Sequence, residues 1–96
     1  MQVVMNIERR REVRTTRDLD VEIKVLHPPD YVRTPATVTD ESPDGLQLRL
    51  REALHPGTML QIYMPEFITL GEVRYCKQND DQFSVGVQLQ AVFRLE

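Results

Sequence analysis

The feature that most constrains the fold of this chain is a series of short stretches in which apolar and polar residues alternate. Alternation with a period of two is the pattern of a β-strand that buries one face and exposes the other. Turn-forming sequences separate the stretches, for example His-Pro-Gly at 55–57 and Gln-Asn-Asp-Asp at 78–81. We therefore predict six strands, at residues 20–26, 36–40, 45–52, 59–65, 67–77 and 82–90.

Six short strands with regular turn signals favour a small antiparallel barrel or sandwich, and closure into a barrel hides the strand edges. No segment has a convincing helical period. In the fifth stretch the apolar residues Ile68 and Leu70 occupy even positions, whereas Val73 and Tyr75 occupy odd ones. This change of parity across Gly71 predicts a β-bulge or a bend. The predicted fold is all-β, a closed antiparallel β-barrel of these six strands.

The composition agrees with one soluble globular domain. A chain of 96 residues holds one modest core, and 41% hydrophobic and 28% charged residues are ordinary values. With three Phe, three Tyr and no Trp, the core must be mainly aliphatic. The single cysteine, Cys76, excludes an internal disulfide and fits a reducing cytoplasm. No apolar run is as long as a membrane span and the first residues do not resemble a secretory signal, so we expect a cytoplasmic protein.

The charges are unevenly distributed along the chain. Residues 1–17 contain five arginines and two glutamates, a net charge of +3, whereas the whole chain carries −3 and residues 18–96 therefore carry −6. We predict a flexible Arg-rich N-terminal arm at residues 1–17 and a β-barrel domain at residues 18–96. A basic arm on an acidic body suits an anionic partner. Two alternatives stay open: a solvated charge run without a partner, and an arm that folds back onto its own acidic body.

Two arginines of the arm, Arg10 and Arg14, have a spacing that suits an anion. Residues four apart project to one side, about 5–6 Å apart on a helix and about 13 Å apart on an extended chain. Either separation can bracket an anion. The planar guanidinium group binds phosphate, or the O6/N7 edge of guanine, through two hydrogen bonds, and it also stacks on purines.

The hexapeptide Asp-Glu-Ser-Pro-Asp-Gly, which begins at Asp40, lies between two predicted strands. A β-turn accounts for Pro43, Asp44 and Gly45, with the proline fixing φ and the glycine accepting a positive φ. It does not account for Asp40 and Ser42, which are two residues apart at a strand end and can therefore face the same side. A carboxylate at this place can accept the N–H groups of a guanine, and a hydroxyl can donate to a phosphate.

Together, the arginine pair and the hexapeptide resemble the two motifs of the PilZ domain family. Arg10 and Arg14 match the Arg-x-x-x-Arg motif of its N-terminal arm. Asp40, Ser42 and Gly45 match its Asp/Asn-x-Ser-x-x-Gly motif at a β-turn. Gly-Glu-Val-Arg-Tyr followed by Phe-Ser-Val-Gly-Val-Gln-Leu also resembles the closing pair of strands. The resemblance implies a Greek-key β-barrel that binds cyclic di-GMP, a bacterial second messenger with two guanines and two phosphates.

The resemblance also implies a role for each matching residue. From the arm, Arg10 and Arg14 would hold guanine edges and phosphates. At the corner, Asp40 would hydrogen-bond a guanine and Ser42 a phosphate. Gly45 would let the backbone turn beneath the ligand.

Outside the two motifs the resemblance is less complete. Arg9 and Arg11 flank the first motif and would add phosphate contacts. Many members have an aromatic residue beside the arginine motif, where this chain has Glu12 and Val13, and members often have Phe at the position of Leu89. The short C-terminal end leaves room for little or no C-terminal helix.

The resemblance implies an adaptor function. We expect the ligand to clamp the arm onto the barrel and so change a surface that an effector protein or a neighbouring copy reads. The apolar start of the arm (Val3, Val4, Met5 and Ile7) either supplies that surface or pairs as an extra strand. The oligomeric state that we expect is a monomer or a weak homodimer.

Two other functions stay open. The first is a PilZ-like protein-interaction scaffold that does not bind the nucleotide. The second is a small barrel that binds RNA or single-stranded DNA, which the few aromatic residues and the acidic body disfavour.

The sequence does not indicate an enzyme. His27 and His55 lie beside prolines, and no metal-ligand spacing joins them to Cys76. We expect no catalytic residue, no metal site and no cofactor, and no nucleic acid polymer as a partner.

Overall fold

The computed structural model describes residues 2–3, 18–27, 29 and 32–95 of the chain. Within these residues the secondary structure is entirely β, without a helix. The strands are β1 (Gln2–Val3), β2 (Leu19–His27), β3 (Thr34–Ser42), β4 (Gly45–Leu50), β5 (Met59–Tyr63), β6 (Phe67–Asn79) and β7 (Gln82–Arg94).

The six longer strands close into an antiparallel barrel. Their order is β7–β4–β3–β2–β5–β6, and β6 pairs with β7 to complete the closure. Strands β2, β3 and β4 follow one another in hairpins and β5 returns beside β2, which is a Greek-key arrangement. The predicted all-β barrel is therefore confirmed. In addition, β1 pairs with the end of β7, with Val3 opposite Phe93.

The turns lie where the sequence predicts them, with one loop shorter than expected. Gly57, in the predicted His-Pro-Gly turn, has a φ of 91°. Asn79 pairs with Gln82, so the β6–β7 hairpin turns through Asp80 and Asp81 alone, and Asp80 has a φ of 56°. Aspartate is one of the few residues that tolerate this left-handed conformation.

The core is aliphatic, as the composition predicts. Its side chains come from the inner faces of β2 to β7, and within the described residues no aromatic side chain is fully buried. The buried hydrophobic residues are Val21, Ile23, Ala36, Val38, Leu46, Leu48, Leu50, Leu60, Ile62, Val73, Val85 and Val87.

A β-bulge at Thr39 decides which way the end of β3 faces. Val38 is paired with Leu48 and both are buried. The next pair joins Asp40 to Gln47, which leaves Thr39 as an extra residue. The insertion shifts the alternation by one position, so Asp40 faces outward with Gln47 instead of inward with Val38. The Thr39 hydroxyl donates to the carbonyl oxygen of Gln47 at 3.3 Å, which supports the bulge.

A second bulge, at Arg74, has the same effect on β6. Val73 is paired with Val87, and both are buried. The next pair joins Tyr75 to Gly86, which leaves Arg74 as the extra residue. Tyr75 therefore lies on the outer face with 43% of its surface exposed, although the sequence pattern grouped it with Val73.

A third bulge lies opposite the predicted parity change at Gly71. Leu70 is paired with Ala91 and Gly71 with Leu89, so Gln90 of β7 is the extra residue. The sequence thus predicted a bulge at the right place, but the inserted residue belongs to the partner strand.

The apolar pattern of the first half of β6 suggested that Ile68 and Leu70 face the core, and this prediction is wrong. Thr69, Gly71 and Val73 are the buried residues there, so the alternation continues through the glycine. Ile68 and Leu70 lie on the outer face and are half-buried. Their apolar side chains suggested the core because hydrophobicity alone does not distinguish a core position from a partly covered outer one.

We expect Leu48→Ala to lower the free energy of unfolding by about 2–5 kcal/mol, because Leu48 is fully buried and its loss leaves a cavity. Leu70→Ala removes the same atoms from a half-buried outer position and should lower it by only about 1 kcal/mol. Urea unfolding followed by circular dichroism measures both. Equal losses would contradict this assignment of inner and outer faces.

Candidate functional site

The corner between β3 and β4 is a tight hairpin turn. Ser42 pairs with Gly45, so Pro43 and Asp44 alone form the turn. The amide of Leu89 donates to the carbonyl oxygen of Asp44 at 2.9 Å, which ties the turn to β7. The corner is therefore held by two neighbouring strands of the barrel.

The sequence analysis explained Gly45 by a positive φ in the turn, and this explanation is wrong. Gly45 does not have a positive φ; it is the first residue of β4 and lies opposite Gln88 of β7. A β-carbon at this position would collide with the carbonyl oxygen of Val87. Gly45 is thus required by the close approach of two backbones and not by the turn itself.

Outer-face residues of four adjacent strands form two rows across the barrel. Residues that lie directly opposite each other in a ladder project to the same face. Neighbouring strands are about 4.8 Å apart, so each row spans about 14 Å. The first row is Asp40, Gln47, Gly86 and Tyr75, and the second is Ser42, Gly45, Gln88 and Glu72, on β3, β4, β7 and β6 in that order.

A cleft of about 350 Å³, here called the outer-face cleft, lies over these rows. Gly45 and Gly86 occupy inner positions of the rows and also line the cleft. Its lining includes Asp40, Ser42, Gln47, Arg74, Tyr75 and Gln88.

The ring of Tyr75 covers Gly86 on the neighbouring strand. A β-carbon at Gly86 would collide with three carbons of the ring, so ring and backbone are in direct contact. Because 43% of Tyr75 remains exposed, the ring also offers an aromatic surface to the cleft. Such a surface can stack against a planar base.

The charged groups of the outer-face cleft are mainly acidic. Among its lining residues, Asp40, Glu41 and Asp44 are acidic and Arg74 is basic. Glu41 is paired with the buried Leu46 and therefore projects to the inner face. Carboxylates accept hydrogen bonds from N–H donors, whereas the side-chain amides of Gln47 and Gln88 both donate and accept. This wall of the cleft can recognise the donor edge of a base, but it carries too little positive charge to neutralise a dianion.

The structure brings together three of the residues that the sequence predicted for the site. Asp40 and Ser42 project to the same face, one in each row, and Gly45 lies directly opposite Ser42. The arginines predicted for the site, Arg9, Arg10, Arg11 and Arg14, lie outside the described residues.

Among the lining residues that the sequence interpretation missed are Gln47, Arg74, Tyr75 and Gln88. The sequence carried no signal for any of these four. The parity of the apolar residues in β6 changes at Gly71 and is then the same at Val73 and Tyr75, so the bulge at Arg74 leaves no mark in the pattern. The two glutamines sit at ordinary outward positions.

A second cleft, of about 760 Å³, is a weaker candidate because some of the polar side chains in its lining already have partners. Arg49 forms an ion pair with Asp18 at 3.1 Å. The hydroxyl of Thr37 donates to Asp20 at 3.4 Å. The outer-face cleft, which contains the motif residues, is therefore the candidate site.

The residues considered for metal binding or catalysis do not converge. His27 ends β2, His55 lies before a turn, and both are exposed, while Cys76 is half-buried against the core. In the part of the chain that the structure describes, no group of three or more His, Cys, Asp or Glu side chains is placed to hold a metal ion. No helix in this part is long and apolar enough to cross a membrane.

The fold is that of a small closed β-barrel domain with a cleft on its outer face. Residues 8–93 match the family model of the PilZ domain, and because this match covers most of the 96 residues, the chain belongs to the PilZ domain family. PilZ domains are known as cyclic di-GMP-binding and adaptor domains, and the family is not a catalytic one. A comparison with curated proteins finds no match.

We expect Gly86→Ala to lower the free energy of unfolding by about 1–3 kcal/mol, because the new methyl group displaces the Tyr75 ring. In a Tyr75→Ala background the same substitution should be nearly neutral, since the obstacle is gone. Urea unfolding of the four proteins of this double-mutant cycle measures the coupling. An equal loss in both backgrounds would show that the ring does not constrain Gly86.

Proposed function

We propose that this protein is a bacterial cyclic di-GMP receptor that acts as an adaptor. In this proposal the ligand binds in the outer-face cleft and clamps the N-terminal arm onto the barrel. The observation that carries the proposal is the bulge at Thr39, which turns Asp40 outward, so that Asp40 and Ser42 face the cleft beside an exposed aromatic ring.

The described wall has the groups that a guanine requires. The carboxylate of Asp40 accepts hydrogen bonds from N1–H and N2–H of the base, and the hydroxyl of Ser42 donates to a phosphate. Tyr75 stacks on the base. Gly45 keeps β4 in close contact with the backbone of β7 beneath the ligand.

The charge of the outer-face cleft supports a role for the arm. A ligand with two phosphates brings two negative charges to a wall whose charged lining residues are acidic on balance. Further cations are needed to neutralise these phosphates. In this proposal Arg10 and Arg14 supply them, with Arg9 and Arg11 as auxiliary contacts.

The N-terminal end of the arm is fixed within reach of the cleft. Val3 is paired with Phe93, and β7 runs from there to Gln88, which is paired with Gly45. This part of β7 is about 17 Å long. The chain from Val3 to Arg10 can span up to about 23 Å, which is sufficient.

The C-terminal end of the arm is fixed even closer to the motif residues. Leu19 is paired with Val38, which lies only two residues before Asp40 on β3. The chain from Arg14 to Leu19 spans up to about 17 Å. Both arginines of the first motif are thus tethered within reach of the second motif, which supports their convergence on one ligand.

In this proposal, ligand binding orders the part of the N-terminal arm (residues 1–17) that follows β1 against the barrel domain of residues 18–96. The ordering entropy is offset by charge-assisted hydrogen bonds and stacking. The changed surface is then read by an effector protein, while the chain is a monomer or a weak homodimer. A cytoplasmic location stays a prediction that rests on the single cysteine.

A PilZ adaptor that acts without the nucleotide is the second candidate. The acidic lining of the outer-face cleft favours it, because a negatively charged lining repels a dianionic ligand. An unchanged melting temperature at saturating cyclic di-GMP would support this candidate. RNA and single-stranded DNA are disfavoured by the same acidic lining.

We expect calorimetric titration to show binding of cyclic di-GMP and not of cyclic di-AMP, because Asp40 recognises the N–H donors of guanine. Asp40→Ala and Arg14→Ala should each weaken binding by about tenfold or more, since each removes charge-assisted hydrogen bonds. Asp81→Ala removes an exposed carboxylate from the β6–β7 turn and should bind as the wild type does. Absence of binding to the wild type would refute the proposed function.

We also expect cyclic di-GMP to slow trypsin cleavage after the arginines at positions 9–17, because the arm closes over the ligand. Mass spectrometry of the digest gives the rate at each site. Cleavage after Arg51, which is exposed in the β4–β5 connection, is the internal control and should keep its rate. Unchanged rates at all sites, with ligand bound, would contradict closure of the arm.

A further inference from the structure

Among the described residues that line the outer-face cleft, Arg74 is the one with a positively charged side chain. It is the extra residue of the β6 bulge, between the pairs of Val73 and of Tyr75. Its side chain is 56% exposed. The bulge therefore puts an arginine next to Tyr75 along the strand and in the lining of the cleft, at a position outside both sequence motifs.

The carboxylate of Glu72 lies between the extra residues of two bulges. Nη1 of Arg74 is 3.9 Å from Oε2 of Glu72. Nε2 of Gln90, the extra residue of β7, donates to Oε1 at 3.5 Å. Glu72 is paired with Gln88, which lines the cleft, so Glu72 is a neighbour of the lining without being part of it.

The ion pair between Arg74 and Glu72 is weak. Strong arginine–carboxylate hydrogen bonds are about 2.7–2.9 Å long, whereas this contact is 3.9 Å. The two side chains are 56% and 32% exposed, and ion pairs at such positions contribute little to stability. A guanidinium group has five N–H donors in a planar fork that suits a phosphate. A phosphate in the cleft can therefore replace Glu72 as the partner of Arg74 with little loss of stabilising free energy.

We propose that Arg74 binds a phosphate group of the ligand and that Glu72 competes with this phosphate for the guanidinium group. The identity of the ligand rests on the proposed function, but the chemistry requires only a phosphate anion. The positive charge of Arg74 offsets part of the negative charge of the acidic residues in the lining. Because this competition lowers the affinity of the cleft for the ligand, Glu72 raises the ligand concentration that is needed for half-saturation.

Calorimetric titration of the full chain with cyclic di-GMP tests this competition. Arg74→Ala should weaken binding about three- to tenfold, the effect of one charge-assisted hydrogen-bonded contact at a half-exposed site. Arg74→Lys should recover part of the loss, since it keeps the charge but not the fork. Glu72→Gln should strengthen binding about two- to fivefold, and this gain should vanish in the Arg74→Ala background.

Two control variants distinguish the loss of the contact between Arg74 and the phosphate from the effect of changing the net charge of the protein. Arg49→Ala removes the same charge from the outer face, where Arg49 pairs with Asp18 and does not line the cleft. Glu66→Gln removes a negative charge from the exposed β5–β6 turn. Each should change the affinity less than about twofold, because exposed charges are screened. Circular dichroism confirms that every variant is folded.

Two outcomes with the dinucleotide would overturn the proposal. One is an unchanged affinity of Arg74→Ala. The other is a gain from Glu72→Gln that persists without Arg74, because Glu72 would then act on the ligand directly.

If the wild type does not bind cyclic di-GMP, the proposed function fails by itself and a titration with inorganic phosphate decides the role of Arg74. A saturable NMR shift of the Arg74 side-chain Nε–H signal, absent from Arg74→Ala, supports the proposal, and no shift overturns it.

Discussion

One extra residue in a strand reverses the faces of all the residues that follow it, and the outer-face cleft depends on two such insertions. On β3 the extra residue is Thr39, and on β6 it is Arg74. Without the first, strict alternation from Val38 would point the carboxylate of Asp40 into an aliphatic core, where an unpaired charge is strongly destabilising. The bulges therefore allow the same strands to bury an apolar face along most of their length and to present polar and aromatic groups outward beside the cleft.

Charge and shape of the outer-face cleft come from different parts of the chain. The shape depends on glycines, because Gly45 permits close contact with β7 and Gly86 accommodates the ring of Tyr75. The charge of the described wall is negative on balance, whereas residues 1–17 carry +3. In the proposed function the ligand binds between these two opposite charges. Arg74 and its competitor Glu72 then adjust the affinity from within the barrel itself.

Much of the fold followed from local patterns, and the exceptions share one cause. Alternation and turn residues predicted every long strand, and the absence of tryptophan predicted an aliphatic core. The inner face of early β6 was predicted wrongly, because Ile68 and Leu70 look like core residues but lie outside. The reason for Gly45 was also predicted wrongly, because the clash that excludes a side chain involves a strand far away in the sequence. Both errors concern contacts between strands. The alternation of apolar and polar residues along a single strand carries no information about such contacts.

By itself, the sequence determined the β class, the hairpin corner and the two motifs that identify the PilZ family, because alternation, turn chemistry and short spacings are local properties. The tertiary structure alone decided that Asp40 and Tyr75 share one row across four strands, and that Arg74 and Gln88 line the same cleft. These relations depend on the register between strands. Register is set by the packing of the whole barrel around its bulges, since a shift of one residue would exchange the inner and outer faces.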